Sequence, residues 1–396
     1  MAKILLGVGG GIAAYKAVYL LRSLVASGHE VTPVLTEAGS HFIGAQTLSA
    51  LASNPCLSGL FGESDPIPHT HLGRSVDLIC VAPATADLIA KFANGIANDL
   101  LSATVMASRA KVVVAPAMHE EMWDSPAVQR NLQLLRDYGY LIVPPSYGPL
   151  AAGDVGRGRM AEPSVISLYV EVALEDRGIS LWGKKVVVSA GGTREPIDPV
   201  RFIGNRSSGK QGLALAKVAA VLGAEVSLVT TVAQGSFPSV TEVLVSSAKE
   251  MDEALTNETA GADLVVMAAA VSDYRVKEPS RSKIKRESAA ELNISLEANP
   301  DILKGLVKAK KDGSIYIGFA AETDDLEVNL RRKLESKGVD IMVGNDVTRP
   351  GAGFEHDTNS VVILSKDGQR AVFDDLSKEK IALEVLTFAS RLFDRP

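Results

Sequence analysis

Two glycine-rich stretches of this chain have the composition to hold a phosphate, and each stands where an apolar run gives way to a helix. The first is Gly7-Val8-Gly9-Gly10-Gly11-Ile12, closing the run KILLGV. Glycines let backbone N–H groups close on an anion at a helix start, where the dipole favours negative charge. It is not a complete G-x-G-x-x-G, because Ile12 stands where the third glycine belongs. A dinucleotide site also wants an acidic residue closing the next strand to hold a ribose hydroxyl. Here that strand ends in Leu35-Thr36, with Glu37 one place later. The pattern disfavours an NAD-dependent reductase and leaves a phosphate-bearing mononucleotide such as FMN, with a merely tight turn as the plain alternative. The second stretch, Gly204-Asn205-Arg206-Ser207-Ser208-Gly209-Lys210, has the glycine and lysine spacing of a P-loop, but Gln211 sits where the magnesium-binding Ser or Thr belongs. Its preceding apolar stretch, Val200–Ile203, is short and broken by Arg201. That argues against a P-loop NTPase and leaves a loop still suited to phosphate.

Further polar groups lie near strand ends. In APATADLIAKFANGIANDLLS (82–102), Thr85, Asn94 and Asp99 alternate with small residues, a lining suited to a planar ring and a ribityl chain. His69 lies in IPHTHLGRSVDL and His119 in PAMHEEMW; taken alone, a histidine in a Pro-containing loop reads as a surface residue. The basic run Lys277–Arg286 reads by composition as a solvated loop. Cys56 and Cys80 are too few for a disulfide framework or a zinc cluster, and Cys80, inside DLICVAP, reads as a buried inert thiol.

The elements that must position these residues repeat. The first half alternates strand-like runs (ILLGV, VTPVL, DLICVA, KVVVAPA, YLIVPP) with helical periodicity, and a helix over 13–27 sets Ala14, Val18, Leu21 and Val25 on one stripe. The second half does the same with KVVVS, EVSLVT, DLVVMAAA, IYIGFA and DIMVG, and its helix over 213–222 presents Leu215, Val218, Ala219 and Leu222 together. Short, wholly apolar strands between helices imply parallel sheets covered on both faces. The expectation is an α/β protein with two Rossmann-like three-layer domains and mostly parallel sheets, residues 1–180 and 181–396. VDLICVAPATADL and ADLVVMAAAVSDY match as strands running into small residues, the place where open α/β sheets bind ligands. Residues 146–163, glycine-rich and without apolar periodicity, read as a mobile flap, and the Asp-Gly in VVILSKDGQRAVF reads as a hairpin.

A chain of 396 residues can bury two cores, and 46% apolar with 22% charged residues is ordinary for a globular protein. The net charge of −6 argues against a general nucleic-acid partner. No apolar stretch approaches the roughly 20 residues of a membrane span, and the N-terminus runs straight into a strand without a signal-peptide cleavage pattern. A cytoplasmic setting is the simple reading.

The string PATADLIAKFANGIANDL, with His69 eight residues before Asp77 and PAMHEEMW later, resembles the flavin-dependent cysteine decarboxylases. With the second half included, the chain resembles the bifunctional coenzyme A biosynthesis family, phosphopantothenoylcysteine decarboxylase fused to phosphopantothenate–cysteine ligase, from about residue 3 to 392. The resemblance implies FMN bound by Gly9, Gly10, Gly11, Ile12, Thr36, Ala82, Thr85, Asn94 and Asp99. The flavin then oxidises the substrate thiol to a thioaldehyde that serves as the electron sink for loss of carbon dioxide, and the reduced flavin returns hydride to the enethiol. His69 matches the family's essential histidine, for acid–base work or positioning. Two positions depart from the family pattern. His119 stands where an asparagine is thought to bind the substrate carboxylate, and an imidazole can still donate that hydrogen bond. The flap reads Ala151-Ala152-Gly153-Asp154, without the cysteine that serves the family as proton donor. His119, Asp154 or water is then left as the donor, or the reductive step is impaired.

The string GGTREPIDPVRFIGNRSSGKQG (191–212) resembles the ligase's substrate loop. The implied reaction uses CTP: the carboxylate of 4'-phosphopantothenate attacks the α-phosphate, and the amine of cysteine then displaces CMP from the acyl-cytidylate. Asn205 matches a residue implicated in processing that intermediate, and Arg201 can pair with a substrate anion. Ala269, Asp273, Lys283, Pro300, Asp301, Ile302, Leu303, Phe319, Lys333 and Lys337 match nucleotide-site positions, with the lysines supplying charge to the leaving pyrophosphate and Phe319 packing on the base. Magnesium is expected through phosphate oxygens, with no dedicated protein cage. Homo-oligomers, trimer-based for the decarboxylase and paired for the ligase, are implied by resemblance alone. A ligase whose first half holds FMN without completing decarboxylation is the alternative, and the ligase motifs disfavour a merely regulatory flavin-bearing protein.

Overall fold

The computed structural model describes residues 1–61, 66–175, 177–233, 235, 237–285, 292–322, 325–346 and 358–393. They form two compact units, Met1–Asp176 and Arg177–Pro396.

In the first unit, β1 (Lys3–Val8), β2 (Glu30–Leu35), β3 (Leu78–Ala84), β4 (Lys111–Pro116) and β5 (Leu141–Ile142) form one parallel sheet in the order β2-β1-β3-β4-β5. Every residue of β3 is buried, as expected of a strand covered on both faces. One layer, the helices Ala86–Asn94, Leu100–Ala107 and Pro126–Asp137, packs Leu88, Phe92, Leu101 and Leu132 on Leu5, Ile79, Val81 and Val114. The helices Ala14–Ala26 and Pro163–Leu174 cover the other face. The first of these buries Ala14, Ala17, Leu20, Leu21 and Leu24, whereas Val18 and Val25 of the expected stripe are only partly buried. Pro144-Pro145 cannot donate to a ladder, which keeps β5 to two residues. The glycine-rich stretch after it forms an antiparallel pair, β6 (Ser146–Pro149) with β7 (Val155–Arg159).

In the second unit, β8 (Lys185–Ala190) leads into a small antiparallel pair, β9 (Arg194–Pro196) and β10 (Phe202–Gly204), before the helix Lys210–Val221. The main sheet adds β11 (Glu225–Thr230), β12 (Val240–Leu244) and β13 (Leu264–Met267). A second small pair, β14 (Tyr274–Val276) with β15 (Leu296–Ala298), precedes β16 (Ile315–Glu322), β17 (Ile341–Asp346), β18 (Thr358–Ser365) and β19 (Arg370–Ser377). The order is β12-β11-β8-β13-β16-β17-β18-β19, parallel through β17 and antiparallel for the last two. The Asp367-Gly368 turn closes that final hairpin. The helices Ala248–Glu258, Ile302–Lys308 and Leu326–Lys337 pack on one face, and Lys210–Val221 with Lys378–Phe393 on the other. None of the described helices is long and apolar enough to cross a membrane.

Candidate active sites

In the first unit the loops at the carboxyl edge are laced to one another. The Gly9 N–H donates to the Pro83 carbonyl (3.1 Å), Thr36 N–H to the Val8 carbonyl (3.1 Å) and Ala117 N–H to the Ala84 carbonyl (3.0 Å). Thr36 also caps the following short helix, its Oγ1 accepting from Gly39 N–H at 3.0 Å. A Cβ at Gly10 would overlap Ala38, whereas one at Gly11 would meet nothing within 4 Å. The loop therefore lies tight on one side and open on the other. Among the described residues, the N–H groups of Gly10, Gly11 and Ile12 donate to nothing in the chain. Unclaimed donors at a helix start fit a phosphate, and hence the mononucleotide end of a flavin.

Of the expected flavin residues, this brings Gly9, Gly10, Gly11, Ile12, Thr36, Ala82 and Thr85 to one edge. Thr85 caps the helix Ala86–Asn94 by accepting from Leu88 N–H (3.3 Å). Asn94 ends that helix, about 13 Å along its axis, and its amide donates to the Ala90 carbonyl of its own last turn. Asp99 caps the next helix, accepting from Ser102 N–H (2.8 Å), and is ion-paired to Lys91 (3.0 Å). Burial opposes its ionisation, but the Ser102 and Lys91 hydrogen bonds outweigh that and hold the carboxyl below its ordinary range. Asn94 thus lies a helix length from Thr85, and the partners of both Asn94 and Asp99 among the described residues are local.

His69 lies in the first turn of the helix Pro68–Ser75. Gly73, one turn on and on the same face, lets this helix close on Leu100–Ala107, because a Cβ there would come within 3.0 Å of the Thr104 carbonyl oxygen. Ser108 Oγ donates to the Gly73 carbonyl at 2.7 Å and fixes the crossing. The His69 Nδ1 is buried and has no hydrogen-bond partner among the described residues, which is costly unless a bound molecule supplies one. Cys80 is fully buried, its thiol pushed up to about 12 by burial, and it plays no part at this edge.

His119 follows β4 directly. Its Nδ1 lies 3.2 Å from Glu121 Oε2 and 3.6 Å from Asp154 Oδ2 of the β6–β7 turn. That hairpin is docked on the His119 loop: Met118 N–H donates to the Gly158 carbonyl (3.0 Å) and Arg157 N–H to Glu120 Oε1 (3.0 Å). Gly158, at φ +129°, leaves no room for a side chain beside the Met118 carbonyl. Lys16, 5% exposed, places its ammonium on the Met160 carbonyl (3.0 Å) and Glu162 (2.9 Å). Neither Glu120 nor Lys16 is singled out by the sequence, since each matters only through a partner far along the chain.

The second unit gathers loops at the carboxyl edge of its own sheet. Thr193 is fully buried and accepts from Ser272 N–H at 2.9 Å, while the Asn205 amide donates to the Val271 carbonyl at 3.1 Å. The loop from Gly204 to Lys210 follows the small β9–β10 pair and not a strand of the main sheet, so it is not P-loop architecture. Arg201 is bound to Asp198 through Nε (3.0 Å) and Nη2 (2.5 Å). The same carboxylate accepts from the N–H groups of Val200 (2.8 Å), Arg201 (2.9 Å) and Ile284 (3.1 Å). First the guanidinium and then these N–H groups hold Asp198 far below the usual carboxylate range. Exposed Lys283 adjoins the clamped Ile284. Asp198 was absent from the sequence-based candidates, although Asp-Pro with an N–H accepted two residues on is an Asx-turn signature.

The nucleotide candidates form a second group. The Asn299 N–H donates to the Asp273 carbonyl (2.8 Å), and Asp301 caps the helix Ile302–Lys308 by accepting from Lys304 N–H (3.1 Å). Lys337 reaches Asp301 at 2.5 Å, so its charge is already partnered. Ala269 N–H donates to Ser189 Oγ at 3.1 Å. Phe319 is half-buried in β16, Ile302 is buried, Leu303 is packed beneath Gly318, and Pro300 and Asp273 are exposed. Lys333 lies one turn before Lys337 on the same helix. Arg286, at the end of the expected basic run, lies outside the described residues.

The fold is that of a two-unit α/β protein with a mostly parallel sheet in each unit. The Flavoprotein family profile matches residues 1–174, and the profile of the DNA/pantothenate metabolism flavoprotein C-terminal domain matches residues 181–392. The "Coenzyme A biosynthesis bifunctional protein CoaBC" of Mycobacterium tuberculosis is 42% identical over 398 residues, covering 97% of this chain and 95% of its own. The protein of the same name from Bacillus subtilis is 42% identical over 388 residues, with the same coverage of each chain. Among solved structures, a C-terminal domain of such a bifunctional protein is 38% identical over 54% of this chain and 97% of its own, with a TM-score of 0.46. The chain belongs to the bifunctional coenzyme A biosynthesis family. It is a two-headed enzyme, a flavoprotein decarboxylase followed by a ligase.

Proposed function

We propose that the second unit ligates cysteine to 4'-phosphopantothenate using CTP, and that the first unit decarboxylates the resulting phosphopantothenoylcysteine to 4'-phosphopantetheine with FMN. The observation that carries this reading is the glycine loop of the first unit, whose N–H groups at Gly10, Gly11 and Ile12 have no partner among the described residues. In the first unit the glycine loop binds the flavin phosphate, and the open Nδ1 of His69 holds or moves a proton on the substrate. His119 donates a hydrogen bond to the carboxylate that leaves. Bound FMN supplies the two-electron acceptor that turns the substrate thiol into an electron sink.

In the second unit, Asn205 and the glycine loop hold the phosphopantothenate and its acyl-cytidylate. The Asp198–Arg201 clamp fixes the strand of chain from which Lys283 meets the triphosphate. Lys333 adds positive charge as pyrophosphate departs, joined by Lys337 when it exchanges Asp301 for the phosphate, Phe319 packs on the base, and magnesium binds through phosphate oxygens. The enzyme works in the cytoplasm as a homo-oligomer, trimer-based in its first unit and paired in its second.

The test is mass spectrometry on the purified protein given phosphopantothenate, cysteine, CTP and magnesium. Phosphopantetheine is the expected product. Amide alone would remove the decarboxylase from the proposal, and no amide would remove the ligase.

A further inference from the structure

The family's flap thiol is missing here, and the hairpin turn that should carry it holds Ala151 and Ala152, both exposed and without a proton to give. The same turn does bring a proton-handling group to the site. The Asp154 carbonyl accepts from Leu150 N–H (2.8 Å), and the Leu150 carbonyl from Gly153 N–H (3.1 Å), which folds Asp154 back until its carboxylate lies 3.6 Å from His119 Nδ1. Glu121 approaches the same nitrogen at 3.2 Å. The other ring nitrogen, Nε2, has no partner among the described residues and the side chain is 36% exposed. The approach is not that of a loose loop, because the hairpin is fastened to the residues on both sides of His119, at Met118 and Glu120. A histidine with one nitrogen against carboxylates and the other without a partner among the described residues is the arrangement of an acid–base group held in one orientation.

We infer that His119 is the proton donor of the reductive half of the decarboxylation, with Glu121 and Asp154 as its positioning residues. The inference rests on the decarboxylase reading above. While the carboxylate is present, the Nε2–H bonds to it. When carbon dioxide leaves, the electron pair of the broken bond stays on the α-carbon, shared with sulfur as an enethiolate. The face of that carbon from which carbon dioxide departed then opens toward the same N–H. The N–H bond breaks, a C–H bond forms from the π pair, a sulfur lone pair makes C=S, and the imidazolium becomes neutral imidazole. The resulting thioaldehyde takes hydride at its sulfur-bearing carbon, and those two electrons are the ones withdrawn from the thiol earlier in the same turnover. One proton is consumed per carbon dioxide released, as the overall reaction requires, and solvent restores it to His119.

The experiment mixes the flavin-loaded full chain with phosphopantothenoylcysteine without oxygen, following flavin absorbance and product masses through one turnover. The variant is His119→Asn, which can still hydrogen-bond a carboxylate but has no proton to transfer. Its expected behaviour is normal bleaching of the flavin, then accumulation of the enethiol, lighter than the saturated thiol by two hydrogens, with flavin reoxidation slowed about 100-fold or more. Asp154→Asn should slow that same second phase by less and leave the first unchanged, a split that a general loosening of the fold would not produce. Saturated thiol formed by His119→Asn at the unaltered rate overturns the assignment. Should His119→Asn lose its flavin, the double variant Glu121→Gln with Asp154→Asn carries the test, and an unchanged second phase there overturns it. Failure of the unsubstituted protein to bleach would instead sink the decarboxylase reading itself.

Discussion

Asp198 gathers the Arg201 guanidinium and three backbone N–H groups on one carboxylate, and through Ile284 it determines where Lys283 stands. Its substitution should therefore act on a lysine it never touches. In Asp198→Asn, ligation is expected to fall by about 10–100-fold, because a misplacement near 1 Å costs on that order. Decarboxylation of supplied phosphopantothenoylcysteine should be unchanged, and separate assays of the two products check both halves of the statement. Acid should act the same way. The carboxyl is held below its unfolded value, so the stability it contributes is present above the ordinary Asp range, about pH 4, and is lost as pH falls toward the folded value. The Asn variant should show a shallower loss of second-unit stability on acidification.

At the scale of elements, the β6–β7 hairpin depends on a glycine conformation. Gly158→Ala forces a side chain into φ +129° and onto the Met118 carbonyl. A strained backbone of this kind costs about 1–3 kcal/mol, enough to undock the hairpin while the sheet stays folded. Faster proteolysis within 146–163 and loss of decarboxylation, with ligation intact, is the expected result. How legible such features are follows from the distance over which they are decided. The ten strands read from apolar runs all form, because a buried parallel strand needs only its own residues to declare it. The stripe of the helix Ala14–Ala26 was misread by placing Val18 and Val25 inward. The buried set includes Ala17 and Leu20, and even Lys16, whose burial is licensed by Glu162 on another element. The three-residue pairs β9–β10 and β14–β15 have no periodicity to read, and Gly73 shows its purpose only beside Thr104. His69 and the glycine loop were legible as motifs; the reach of Asp198 to Ile284 and the docking of the flap were not, since each is a contact between residues remote in sequence.

On the scale of the molecule, each unit has its own sheet, helix layers and core, so neither depends on the other to bury its apolar surface. Residues 1–176 and 177–396 produced as separate chains are expected to fold, the first yellow with flavin and the second forming the amide, and together to make phosphopantetheine. Precipitation of either chain alone would contradict this. Within the first unit, the Lys16 ammonium ties the helix that opens at the glycine loop to Met160 and Glu162, immediately beyond the flap. The glycine loop and the seating of the flap segment thus meet at the same first turn of that helix, through a single buried cation. Cofactor affinity and flap order are for that reason reciprocal: whatever one adds to the other in free energy is returned in equal measure, so a substrate that settles the flap should also tighten the hold on the cofactor.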